Sequence, residues 1–113
     1  KFEGIINIDT IVAPTNDPRI PNNVSIVFMC DVLHHVSGRE IWLKNLATEM
    51  SRGTKLYIIE FKEGRLPVGP PEKLKIPTNE TISLLTKSGY KLLKKDMGLL
   101  PYQILFVFEK IKK

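Results

Sequence analysis

The alternation of hydrophobic and polar positions divides the chain into short segments of different period. Ile5–Val12 reads as a short strand. Val24–Cys30 is a continuous apolar run, the pattern of a strand covered on both faces as in a parallel sheet. Between them, residues 13–23 (APTNDPRIPNN) carry three prolines and three asparagines, which mark a loop. From Ser37 the period becomes helical. Ser37 and Glu40 have the S-x-x-E spacing of a capping box, and Trp42, Leu43, Leu46, Ala47 and Met50 form one apolar stripe. Gly53 supplies the stop, because glycine accepts the left-handed conformation just past a helix.

Thr54–Phe61 follows as a strand with YIIEF at its centre. Residues 62–77 are a proline-rich connection. Thr78 is placed to cap a second helix, with Ile82, Leu84 and Leu85 as its stripe and Gly89 as its end. Tyr90–Asp96 is a strand of mixed polarity, GLLP a turn, and Tyr102–Lys110 a final apolar strand. Strand–helix–strand order predicts an α/β fold with right-handed parallel crossovers. The last two strands, joined by a short turn, are expected to pair antiparallel at one edge.

Length limits this to one domain spanning residues 1–113. No apolar run is long enough to cross a membrane, and the N-terminus has no signal-peptide pattern, although it also lacks an initiator methionine. The single cysteine, Cys30, excludes an internal disulfide and suits a reducing compartment, so a cytoplasmic location is expected. The net charge is +5, but the lysines are spread along the chain without interleaved aromatic residues. That is a solvated basic surface rather than a nucleic-acid footprint, which would concentrate on one face.

Candidate chemistry gathers where the Val24–Cys30 strand ends. Cys30, Asp31, His34 and His35 stand within six positions. Three readings fit: a metal site, an acid–base site, or the lip of a cofactor pocket. No C-x-x-C or H-x-x-x-H spacing supports a metal. A histidine titrates near neutrality and can take a proton from a substrate nucleophile, so His34 and His35 are the candidate bases. The alternative is that one histidine orients the loop and the other lines a pocket. Cys30, at the end of a core strand, reads as a small apolar residue rather than a nucleophile, and Trp42 as helix core. Leu66–Pro71 (LPVGPP) leaves the carboxyl end of a strand and is read as a substrate-facing or lid element, or else a rigid connector. Tyr102 could present its hydroxyl nearby.

IVFMCDVLHHV, LATEMSRGTKLYIIEF and YKLLKKDMGLLPYQILFVFEK together resemble the C-terminal part of a class I S-adenosylmethionine-dependent methyltransferase. The first is similar to the family's fourth strand and following loop, and the second to the helix, turn and fifth strand. The third is similar to the C-terminal hairpin, and DPRIP resembles the acidic loop after strand three. The resemblance implies a partial Rossmann-like sheet, mostly parallel, with an antiparallel C-terminal hairpin. It implies S-adenosylmethionine as cofactor, with Cys30, Asp31 and Val32 beside its methionine part and Asn16 and Asp17 in the loop that touches adenine. Pro14 stands where relatives often carry the adenine-contacting acid.

The family's glycine-rich loop has no counterpart, since no two of the seven glycines stand in a G-x-G relation. Half of the cofactor pocket, with the first two strand–helix units, is therefore expected to be missing, and the chain alone to be inactive. The implied activity is methyl transfer to a small-molecule acceptor. A non-catalytic interaction domain is the alternative. Without its neighbour, the Val24–Cys30 strand would be an exposed apolar edge, so a homodimer is expected through that strand or through Ile5–Val12.

Overall fold

The computed structural model describes residues 10–111. The expected strand Ile5–Val12 lies mostly outside them, and residues 10–12 carry no strand. The elements follow in the order β1 (Ile26–Cys30), α1 (Arg39–Glu49), β2 (Lys55–Phe61), α2 (Thr78–Lys87), β3 (Tyr90–Asp96) and β4 (Gln103–Lys110). Short 3₁₀ turns occupy Leu33–His35 and Glu72–Leu74. Among the described residues no helix is long and apolar enough to cross a membrane.

The four strands form one mixed sheet in the order β1-β2-β4-β3. The expected parallel pair is β1–β2, with Met29 opposite Ile58. The expected C-terminal hairpin is β3–β4, antiparallel, and β4 also pairs antiparallel with β2. The sheet thus has one parallel and two antiparallel pairings among the described strands.

Burial along β2 alternates residue by residue, with Leu56, Ile58 and Glu60 inward. Period-two alternation sends successive side chains to opposite faces. On the inward face, Leu56 and Ile58 join Met29, Ile104, Phe106 and Phe108. Leu43 and Leu46 of α1, Met50 just past its end, and Leu85 of α2 pack onto that same face. Buried Tyr90 ties β3 to α1 by donating its hydroxyl proton to the Leu43 carbonyl at 2.7 Å.

Three local expectations are corrected. β1 is not covered on both faces: Ile26 and Phe28 are 58% and 61% exposed, while Met29 on the other face is buried. Both described helices lie on one side of the sheet, so the apolar run does not reveal which side is open. The Ser37–Glu40 capping box does not form. Gly38 takes the N-cap position at φ +61°, with no side-chain cap, and its carbonyl accepts the first helical bond from the Trp42 N–H. The left-handed residue turns the chain between Ser37 and the helix axis. Thr78 likewise does not cap α2. Pro77 holds the N-cap position, and the Thr78 N–H donates to the Glu63 carboxylate at 2.8 Å.

Candidate functional site

β1 and β2 run parallel, so their carboxyl ends share one edge of the sheet, where open α/β sheets take ligands. Asp31 ends β1 in the left-handed region at φ +60°, uncommon for a residue with a side chain, and its N–H donates to the Ile59 carbonyl at 2.9 Å. Strain of this kind persists only where neighbours over-determine the conformation. Gln103, at the start of β4, donates its amide N–H to one Asp31 oxygen, and the Cys30 thiol approaches the other at 3.7 Å. Cys30 is exposed. Desolvation of the sulfur, and then the neighbouring Asp31 carboxylate, push its thiol pKa up, which disfavours the thiolate.

The chain then folds into the 3₁₀ turn that carries both histidines, and their environments differ. His34 is held at three points. Its Nδ1 lies 2.7 Å from Glu60 Oε1, and its backbone N–H donates to Glu60 Oε2 at 3.1 Å. Its carbonyl accepts from the Arg39 guanidinium at 3.0 Å, and Arg39 also binds the Leu33 carbonyl at 3.1 Å. Both the His34 and Glu60 side chains are only 4% exposed. In the tautomer that makes this bond, Nδ1 donates and the Glu60 carboxylate oxygen accepts. With the proton on Nδ1, Nε2 has no hydrogen-bond partner among the described residues. His35 is exposed, lacks a carboxylate partner among the described residues, and stacks obliquely on His34 at 4.1 Å between ring centroids.

Other predicted residues fall in two places. Val32 is exposed at the same strand end, beside Cys30 and Asp31. Asn16 and Asp17 lie on a loop bound to α1. The Asn16 carbonyl accepts from Asn45, and Asp17 lies against Glu49, which also accepts from the Ile20 N–H at 2.9 Å. Their hydrogen bonds do not run to Cys30, Asp31 or Val32. Among the described residues no group of three His, Cys, Asp or Glu side chains is gathered closely enough to hold a metal ion.

Leu66–Pro71 folds back over β2, with Gly69 resting on the Phe61 ring. Tyr102 lies at the same end, its carbonyl accepting from the Lys62 N–H at 2.9 Å. Arg39 and Gln103 are absent from the residues that the sequence pattern singles out, whereas Glu60–Lys62 are expected along the same sheet edge as Cys30–Asp31, and the parallel β1–β2 pairing puts them there. Glu60 left a readable signal. It is the charged member of an inward-facing set whose other members are Leu56 and Ile58, and a buried carboxylate requires a partner. Arg39 and Gln103 left none, since both sit at polar positions ordinary for surface residues.

Cys30 and Val32 stand exposed at the strand end, and neither lines either of two clefts formed by other residues. One, of about 580 Å³, lies between Gly38 and Ser83. Another, of about 610 Å³, lies within the 64–75 connection.

No protein-family model and no curated protein sequence matches the chain. Solved structures do match it. A SAM-dependent methyltransferase from Aquifex aeolicus superposes with a TM-score of 0.83 at 21% identity, over 93% of this chain and 56% of that one. An O-methyltransferase of neocarzinostatin biosynthesis, solved with S-adenosyl-L-homocysteine and 1,4-dihydroxy-2-naphthoic acid, gives 0.72 at 17% identity, over 89% and 33%. Mitomycin 7-O-methyltransferase gives 0.64 at 17% identity, over 80% and 31%. The chain therefore has the fold of part of a SAM-dependent methyltransferase. It spans little more than half the length of the first of these and about a third of the other two.

Proposed function

We propose that this chain carries the proton-accepting part of an S-adenosylmethionine-dependent methyltransferase acting on a hydroxyl of a small molecule. The observation that carries this reading is the buried His34–Glu60 pair. A hydroxyl oxygen is a poor nucleophile until its proton leaves. His34 takes that proton at Nε2, and Glu60 stabilises the imidazolium that forms through the bond at Nδ1. Glu60 and Arg39 fix the turn by its backbone, so Nε2 is positioned before an acceptor arrives. His35 forms an exposed wall beside the base. S-adenosylmethionine, when bound, supplies the electrophilic methyl group. Cys30, Asp31 and Val32 would border its methionine part, with Asn16 and Asp17 on the loop toward its adenine. The dihydroxynaphthoic acid held by one structural neighbour supports an aromatic hydroxyl as acceptor.

The free edge of β1 favours a second reading, an interaction domain that pairs with another copy of itself. Among the described residues β1 pairs only with β2, and it exposes Ile26 and Phe28.

Calorimetric titration with S-adenosyl-L-homocysteine, followed by methyl-transfer assays on phenolic acceptors, tests the first reading. Where a second copy or a partner completes the pocket, binding near one per chain or per dimer is expected, with transfer lost in His34→Gln and binding retained. Transfer that survives His34→Gln would remove the base role. Failure of the folded chain to bind leaves the interaction reading.

A further inference from the structure

Phe61 ends β2 directly after Glu60, and its ring touches two parts of the molecule. It meets the His34 imidazole edge to face, with centroids 6.4 Å apart and planes at 71°. It also carries Gly69. A Cβ at residue 69 would stand 2.7 Å from Cε1 and 2.8 Å from Cδ1 of Phe61, closer than real carbon atoms approach. Gly69 is also left-handed at φ +101°. The seat on the ring therefore exists only while residue 69 has no side chain.

The connection that delivers Gly69 is tied down by charged side chains. The Gly64 N–H donates to Glu72 at 3.1 Å, and the Lys75 ammonium, 4% exposed, donates to the Gly64 carbonyl at 2.6 Å. Glu63 holds the far end at the Thr78 N–H. Proline at 67, 70 and 71 limits how the segment can yield.

We infer that Phe61 is a positioning residue for His34, and that Gly69 sets where the Phe61 ring stands. A shift of the segment 66–71 is then passed through the Phe61 ring to the orientation of the imidazole, while Glu60 and Arg39 keep the turn in place. The functional meaning rests on His34 being the base; the mechanical coupling does not.

The chain supplies its own control. Gly64 is left-handed at φ +92° in the same connection, yet a Cβ there meets nothing within 4 Å. Gly64→Ala and Gly69→Ala share backbone strain and differ in the collision with Phe61. The readout is the proton NMR signal of the His34 Nδ1–H bonded to Glu60. The native chain and Gly64→Ala are expected to show it alike. Gly69→Ala is expected to shift it and to exchange it with water about tenfold faster. A native signal in Gly69→Ala, or equal changes in both variants, overturns the inference. Should Gly69→Ala fail to fold, Phe61→Leu reads the same coupling: a changed signal supports it and a native one overturns it. If instead the base assignment is wrong, these signals behave as expected while methyl transfer survives His34→Gln.

Discussion

β1 and β3 are both outer strands of the described sheet, and they are built in opposite ways. β3 presents Lys91, Lys94 and Lys95 to solvent, and its register with β4 shifts between Leu92 and Lys94. Charge and irregularity are what protect a permanent edge from pairing with another chain. β1 has neither: its five residues are Ile, Val, Phe, Met and Cys, and its register with β2 is regular. β3 is made to be last in a sheet, and β1 is made like an interior strand.

The comparison can be broken in four ways. The largest effect lies within β1. Met29→Ala removes a side chain from the core and is expected to cost about 2–5 kcal/mol in urea unfolding, whereas Ile26→Ala, on the open face, should stay within about 0.5 kcal/mol. Equal costs would mean that something covers the open face. Next, Phe28→Lys gives β1 the kind of charge that β3 carries. Sedimentation should show self-association weakened by about a hundredfold, with unfolding nearly unchanged because Phe28 is already exposed. A native chain that stays monomeric at high concentration removes β1 as a pairing edge. Third, Tyr90→Phe deletes the bond that ties β3 to α1. A loss of about 1 kcal/mol is expected, since the Leu43 carbonyl keeps its place in the helix ladder.

The smallest effect concerns the loop that leads into β1. Burial, and then the nearby Asp17 carboxylate, raise the pKa of Glu49 above the ordinary carboxylate value, while the Ile20 N–H pulls it down. A raised folded-state pKa favours the protonated form, so this contribution to stability is present at low pH and is lost as pH rises through that value. Glu49→Gln keeps an acceptor for Ile20 without the charge. It should be more stable than the native chain at neutral pH by a few tenths of a kcal/mol, roughly, given solvent screening. Thermal unfolding at several pH values should show the gap closing on acidification.

The strand and helix positions were legible because they depend on neighbours in sequence. β3 begins and ends where the pattern places it, and β1, β2 and β4 differ from the pattern only at their first residues. Helix starts were less legible. Ser37 and Thr78 are good caps by composition, but Gly38 and Pro77 hold the cap positions because the incoming chain arrives from a tight turn in one case and a stapled loop in the other. The cluster of Cys30, Asp31, His34 and His35 was visible for the same local reason, as an abrupt change of residue type at a strand end.

What the sequence determined by itself was an α/β chain with its polar cluster at the end of its first described strand. A period of two or of 3.6, and a glycine or proline that interrupts it, act within a few residues. Tertiary structure alone separated His34 from His35. The carboxylate that separates them is 26 residues away, brought there because β1 and β2 pair in parallel and Glu60 faces inward. It also left one face of β1 open, since α1 and α2 pack on the same side of the sheet. Partners so distant in sequence are selected by burial, because a buried charge must find its counterpart wherever the fold has put it.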